Sequence, residues 1–144
     1  MSDISHNLPS TKNYRFRELK VYASTEWLAD NRKKYRQVFD RFDTSYIYTE
    51  LSFYNKLFDE DDWEIELELK CFVLKKEKKE ICNLAFKRKV SKFDNVVYIR
   101  EGWGNKKPGA FWKKGTYFWE VWVKNEKIAT KYFYIEEAEN RFLE

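Results

Sequence analysis

The chain has little of what most catalytic and metal sites are built from. Among 144 residues there is one histidine, His6, and there are two cysteines, Cys71 and Cys82. His6 lies in a polar, aperiodic stretch, where a Ser-His-Asp triad would have no fixed base, and a histidine-based zinc site needs more than one histidine. Two thiols alone do not complete a structural zinc site. We therefore expect no catalytic residue, no metal site and no cofactor, and we predict that the chain is not an enzyme.

Glycine and proline are also scarce, with 4 and 2 residues. All four glycines fall within 101–115, where the stretch GWGNKKPG lacks the GxxxxGK[ST] spacing of a phosphate-binding loop. Collagen-like and proline-rich segments are excluded by the same counts. A nucleotide held by a glycine-rich loop is accordingly not expected.

Long apolar runs are missing, and none approaches the ~20 residues that cross a bilayer. The first residues, MSDISHNLPSTKNYRF, lack the basic and apolar regions of a secretory signal. The low cysteine count fits a reducing compartment better than a disulfide scaffold. We expect a cytoplasmic location, no membrane partner, and burial of Cys71 and Cys82 as small hydrophobic residues.

Charge of one sign does not dominate, because 28 basic and 24 acidic residues leave a net charge of +4. This small excess is spread along the chain, so a nucleic-acid partner is disfavoured. The acidic groups Glu64, Glu66 and Glu68 share one strand face that we expect to be wet, and 59–62 lacks the spaced ligands of a calcium loop. We interpret both groups as solvated surface.

Strand patterns are what the sequence has in abundance. The clearest is GTYFWEVWVKNEKIATKYFYI, from Gly115 to Ile135, which predicts two strands joined by a turn at 125–127. In its first strand one face is predicted to be buried and the other to point outward. The inward set is Tyr117, Trp119, Val121 and Val123, and the outward set is Phe118, Glu120, Trp122 and Lys124.

Further strands are predicted at 16–23, 45–54, 63–73, 81–90 and 96–100, each with alternating apolar and polar residues. The stretch 24–41 is ambiguous: a connection with one short helix near 25–34 that leads to a short strand competes with an edge strand. The fold class predicted is all-β, an immunoglobulin-like antiparallel β-sandwich of seven to eight strands. A small closed barrel is the alternative.

The domain organisation follows from these patterns. Residues 1–14 are polar and aperiodic and are predicted to be a flexible lead-in. Residues 15–136 form a single β-sandwich domain in this prediction, and 137–144 form a C-terminal tail.

Both faces of the strand at 115–123 are aromatic, although a sheet in a sandwich buries only one. The outward Phe118 and Trp122 are therefore either covered by another segment or presented to a partner. The cover would come from 24–41, with Trp27, Tyr35 and Phe39 lying over the sheet.

A second aromatic group, Trp103, Phe111 and Trp112, lies among lysines in the glycine-containing stretch 101–115. Aromatic rings interleaved with basic residues can stack on bases beside phosphates, or stack on sugar rings. The alternative, which we favour, is that Trp103 and Trp112 plug the open end of the sandwich while the lysines solvate the loop.

The string REGWGNKKPGAFWKKGTYFWEVWVKNEKIATKYFYI combines W-G-N, F-W-x-x-G-x-Y-x-W-E-V, K-I-A and F-Y-I. Together with ELKVYASTEW and YIYTELSFYNKLFDEDDWE, it resembles the β-sandwich modules that precede AAA-type ATPase domains in some bacterial proteins. The resemblance extends over about residues 19–135. It implies an N-terminal accessory domain that recruits partners or substrates for the motor, and it carries over neither ATPase activity nor a catalytic residue.

The function predicted is a non-catalytic protein-interaction or regulatory module. Trp103, Trp112, Phe118 and Trp122 are its candidate contact residues. A carbohydrate-binding module that uses exposed aromatic side chains and a single-stranded nucleic-acid binder are the alternatives.

Overall fold

Eight strands, numbered in chain order, make up most of the computed structural model, which describes residues 12–25 and 35–137. They are β1 (Tyr14–Ser24), β2 (Val38–Asp40), β3 (Tyr46–Asn55), β4 (Trp63–Leu74), β5 (Lys78–Val90), β6 (Val96–Gly104), β7 (Gly115–Val123) and β8 (Glu126–Glu136). A single 3-10 turn, Arg41–Asp43, follows β2, and the two described ranges contain no α-helix. The helix considered near 25–34 falls outside the described residues except for Thr25, and so do most of the predicted lead-in and tail.

The strands form two sheets that pack face to face. One sheet has the order β1-β3-β6 and the other the order β2-β8-β7-β4-β5. All neighbours are antiparallel except β2, which pairs in parallel with Tyr134–Glu136 of β8. The predicted all-β sandwich of seven to eight strands is therefore confirmed. No ladder joins the two sheets into a closed barrel in the described part of the chain.

The core lies between the sheets and is built from alternate residues of each strand. The four inward residues predicted for β7 (Tyr117, Trp119, Val121 and Val123) are all buried. Leu51, Phe53 and Ile99 face them from the three-stranded sheet. Because side chains alternate along a strand, this burial fixes the opposite residues of β7 on the outer face.

The turn between β7 and β8 differs from its predicted position at 125–127. Lys124 and Asn125 both have positive φ, 48° and 67°, and β8 already begins at Glu126. Two left-handed residues form the tight turn whose twist matches that of the flanking strands, and asparagine tolerates this backbone well. A register shift follows directly, since Val121 pairs with Ala129 but Trp122 pairs with Lys127.

Strand β6 is longer than the predicted 96–100 and includes Gly102 and Trp103. Gly102 pairs with Tyr48, and a Cβ at Gly102 would lie 2.4 Å from the Tyr48 ring. Only glycine leaves room for this ring to lie across the outer face of the three-stranded sheet. Gly102, which the sequence pattern assigns to a loop, therefore lies on a strand and allows the Tyr48 ring to pack closely against the backbone.

Candidate functional site

The outer face of the five-stranded sheet carries a group of aromatic and aliphatic side chains. The register places Phe72, Phe118 and Tyr132 side by side on β4, β7 and β8. The next row brings Leu74, Tyr134 and Val38 together around Thr116. We call these six apolar and aromatic residues, Val38, Phe72, Leu74, Phe118, Tyr132 and Tyr134, the aromatic face.

The centre of the aromatic face is packed and its margins are exposed. The Phe118 ring lies 5.1 Å from the Phe72 ring and 5.0 Å from the Tyr132 ring, between centroids. This packing leaves Phe118 only 5% exposed. The surface open to a partner belongs instead to four neighbours. They are Tyr134, Tyr132, Leu74 and Val38, which are 39% to 47% exposed.

The sequence prediction named Phe118 but missed the two tyrosines beside it. The signal was present, because Tyr132 and Tyr134 alternate with Phe133 and Ile135 along β8. Phe133 and Ile135 are buried in the core, so the tyrosines must point outward. Predicting the exposed margin required the strand register and not only the pattern of one hairpin.

Trp122, the second outward residue predicted, is half-buried at the border of the aromatic face. Its indole N–H donates to Glu120 Oε1 at 2.9 Å, and the Lys70 ammonium lies 4.5 Å from its ring centroid. Glu120 is 3% exposed, and its other oxygen lies 3.6 Å from Lys78 Nζ and 3.7 Å from Lys127 Nζ. The buried Glu120 carboxylate is therefore paired with two lysines, and the Lys70 ammonium covers the Trp122 ring.

Trp103 and Trp112 lie at the end of the sandwich. Trp112 is fully buried, with edge-to-face contacts to Tyr117 at 5.1 Å and Phe133 at 5.5 Å between ring centroids. Its indole N–H donates to the Trp103 main-chain oxygen at 3.2 Å. Trp103 is partly buried on β6 and packs against the core. These two tryptophans plug the sandwich, and Trp112 has no surface for a ligand.

The cover considered for Phe118 and Trp122 is not formed by Tyr35 or Phe39. Tyr35 packs edge-to-face on Tyr22 of the three-stranded sheet, 5.6 Å between centroids. Phe39 belongs to the core and meets Phe133. Trp27 lies outside the described residues.

The cysteines and acidic residues do not assemble a reactive centre. Cys71 and Cys82 pair across β4 and β5 as free, buried thiols. Burial raises the pKa of Cys82 to about 12 and that of Cys71 well above its ordinary value. Within 12–25 and 35–137, no three metal-ligating side chains come together, and no helix is long and apolar enough to span a membrane.

Comparison with known proteins identifies the fold and goes no further. No family model and no curated protein matches the chain. An immunoglobulin-like protein from Pseudomonas aeruginosa is similar in structure, with a TM-score of 0.51 and 11% identity over 88% of this chain and 99% of that one. The chain thus has an immunoglobulin-like β-sandwich fold.

Two much larger enzymes contain a similar structure. The alkylpurine DNA glycosylase AlkC of Pseudomonas fluorescens, bound to DNA with an abasic site analog, matches with a TM-score of 0.51 and 12% identity. The β-D-glucoside glucohydrolase of Trichoderma reesei matches with a TM-score of 0.50 and 8% identity. These matches cover 88% and 93% of this chain but only 31% and 21% of the two enzymes. At such identities the likeness concerns the fold alone.

Proposed function

We propose that the chain is a non-catalytic protein-interaction module that binds a protein partner through the aromatic face. The observation that carries this proposal is the continuity of six apolar and aromatic side chains across β2, β4, β7 and β8. Contiguous apolar surface of this kind is a feature of protein contact sites, where tyrosine and phenylalanine are enriched. No strand of the described part packs over it.

The structure offers less to the two alternative ligand classes. Sugar rings stack on open aromatic faces, but Lys70 lies over Trp122, the tryptophan on this side of the sheet. Single-stranded nucleic acid requires basic residues between the stacking rings. Lys78 does lie over the aromatic face, 4.5 Å from the Phe72 ring centroid, but it also faces the buried Glu120 carboxylate, which offsets its charge. A protein surface is the ligand that this composition suits best.

The resemblance of the sequence to modules that precede AAA-type ATPase domains supports a narrower proposal. In it, the chain is an accessory domain of a larger bacterial, cytoplasmic ATPase, and the aromatic face recruits a partner or substrate for the motor. The coding sequence downstream of residue 144 tests this directly. A continuing frame that encodes GxxxxGK[ST] is expected, and a frame without an ATPase domain contradicts this narrower proposal only.

Site-specific cross-linking tests the contact itself. A photoreactive phenylalanine replaces Tyr134 in the protein produced in its native host, and the matched control replaces Phe93, which is 74% exposed in the turn before β6. We expect an adduct of defined mass from position 134 and not from position 93. Adding Tyr132→Lys is expected to remove the adduct, because a charge on the apolar margin opposes desolvation.

The fold of each variant is checked by circular dichroism, so that loss of the adduct is not loss of structure. Identical adducts from positions 134 and 93 contradict the proposal. An adduct that persists at full yield in the folded Tyr132→Lys variant contradicts it as well.

A further inference from the structure

A groove of about 580 Å³ lies where the edge of β1 faces the edge of β8. We call it the edge groove. It is lined by residues 16–21 of β1, 128–131 of β8 and the segment 35–37 that precedes β2. Leu19, Val21, Ile128 and Ala129 give it an apolar floor.

Main-chain groups of β8 point into this groove. Gln37 Nε2 donates to the Tyr132 main-chain oxygen at 2.9 Å, and the Tyr134 N–H donates to the Gln37 main-chain oxygen at 2.6 Å. These bonds show that the even-numbered residues here direct their main chain away from β7. Because this direction alternates along a strand, Thr130 presents its N–H and C=O to the groove.

The same edge of β8 already pairs with a strand nearer its C-terminal end. Strand β2 pairs in parallel with Tyr134–Glu136, and its ladder ends at Val38. On the N-terminal side of Tyr134, at Thr130, no strand of the described residues pairs with this edge of β8. An exposed edge of this kind is a template for an added strand, and extended peptides bind many domains in this way.

The charges around the groove specify what kind of segment it fits. Four basic residues line it (Arg17, Lys20, Arg36 and Lys131), against one acidic residue, Glu18. Arg17 and Lys20 direct their charged ends to the outer face of the three-stranded sheet, over the rings of Tyr98 and Tyr35, which leaves Arg36 and Lys131 as the basic groups for a ligand in the groove. Arg17 and Lys20 both contact Glu18, at 2.9 and 3.3 Å. Lys131 pairs with Trp119 in the β7–β8 register, so its side chain lies on the inner face of the five-stranded sheet. Because no described strand pairs with the other edge of β8 at this position, the side chain reaches the groove.

We propose that the edge groove binds an extended acidic segment of a protein partner. The segment pairs with β8 at Thr130, in line with β2, and places its carboxylates against Arg36 and Lys131. Its apolar residues alternate with the acidic ones and lie on Leu19 and Ala129. This site is separate from the aromatic face and does not depend on the function proposed for that face.

The probe is a fluorescein-labelled ten-residue peptide in which glutamate alternates with valine, and a lysine-for-glutamate peptide serves as control. Binding is followed by fluorescence anisotropy. Lys131→Glu is expected to weaken binding of the glutamate peptide about tenfold, since reversing a charge at a partly buried contact costs more than about 1.4 kcal/mol. Lys79→Glu changes the net charge equally but lies on the opposite edge strand, β5, and is expected to leave affinity within about twofold.

Strand pairing has its own readout in the main chain. Thr130→Pro removes the outward N–H without removing a bond to β7, and we expect an approximately fivefold loss of affinity from one missing hydrogen bond. In the unaltered protein the amide resonance of Thr130 is expected to shift, and its hydrogen exchange to slow, when the glutamate peptide is added. Lys131→Glu keeps the proposal testable if the proline variant fails to fold.

Several outcomes overturn the proposal. One is the absence of binding by the glutamate peptide, which would mean that the inward Lys131 protects the edge against pairing. Another is an equal loss of affinity with Lys79→Glu and Lys131→Glu, which would indicate unspecific charge attraction. A third is binding of oligothymidylate that depends on Lys131 while the glutamate peptide does not bind, which would assign the groove to nucleic acid.

Discussion

Two tryptophans in the core are equally inaccessible but differ in the state of their indole N–H groups. Trp112 and Trp119 are both 0% exposed. The Trp112 N–H donates to the Trp103 main-chain oxygen, whereas the Trp119 N–H is buried with no acceptor among the described residues. Replacing each by phenylalanine removes the same atoms. The two variants are therefore a matched pair that isolates one buried hydrogen bond.

The expected difference is large enough to measure. Trp112→Phe loses a net hydrogen bond of about 1 kcal/mol in addition to the contacts of the missing ring atoms. Trp119→Phe loses similar contacts but relieves a buried, unpaired donor that costs about 1–3 kcal/mol. Trp112→Phe should therefore lower the free energy of unfolding by about 2–4 kcal/mol more than Trp119→Phe does. Trp119→Ala, which leaves a cavity, should cost about 3–5 kcal/mol.

Urea unfolding followed by far-ultraviolet circular dichroism is the appropriate assay, because each substitution alters tryptophan fluorescence. The slope of the free energy against urea concentration must stay the same in both variants for the comparison to hold. Equal midpoints, or a lower midpoint for Trp119→Phe, would refute the reasoning about the two N–H groups. An unchanged midpoint in Trp119→Ala would refute the core position of that residue.

Because burial raises the pKa of Cys82 to about 12 and that of Cys71 well above its ordinary value, we expect both thiols to resist alkylation at pH 8 until urea unfolds the chain. Above about pH 9 the thiols of the unfolded chain lose their protons while the buried thiols of the folded chain keep theirs, so the free energy of unfolding should fall as the pH rises. The fall should be smaller in the variant that carries both Cys71→Ala and Cys82→Ala. An identical pH profile for the two proteins would contradict this explanation. Gly102→Ala should destabilise the fold by about 1–3 kcal/mol, because its Cβ would lie 2.4 Å from the fully buried Tyr48 ring. Gly115→Ala, whose Cβ would meet no atom closer than 3.7 Å, is the control, and equal midpoints in the two variants would contradict the steric explanation.

The strands of the sandwich could be predicted because burial on one face imposes alternation on the sequence. Residues 115–135 illustrate this, since every inward residue predicted for β7 is buried. Strand β2 could not be predicted with the same assurance, because its three residues, Val38–Asp40, are defined by pairing with the distant β8. Pairing with a distant strand leaves no local periodicity in so short a segment.

The candidate site was less predictable for a related reason. Exposure of an aromatic side chain depends on its neighbours across the sheet, and those neighbours are remote in sequence. Phe118 alternates correctly, yet the rings of Phe72 and Tyr132 cover it. Trp112 lies in a stretch of glycine and lysine typical of a surface loop, yet it fills the core. Neither outcome can be derived from spacing alone.

The order of strands in the two sheets also determines how the chain must fold. Of the adjacent strand pairs within residues 12–25 and 35–137, only β4–β5 and β7–β8 join strands that are consecutive along the chain. The β3–β6 and β4–β7 ladders each join strands that are separated by other strands in the sequence. Most ladders can therefore form only after long loops have closed. Folding is accordingly expected to take milliseconds to seconds. During synthesis, the β4–β5 hairpin is complete while the other edge of β4 still lacks β7, and that hairpin is where a chaperone would find the nascent domain most exposed.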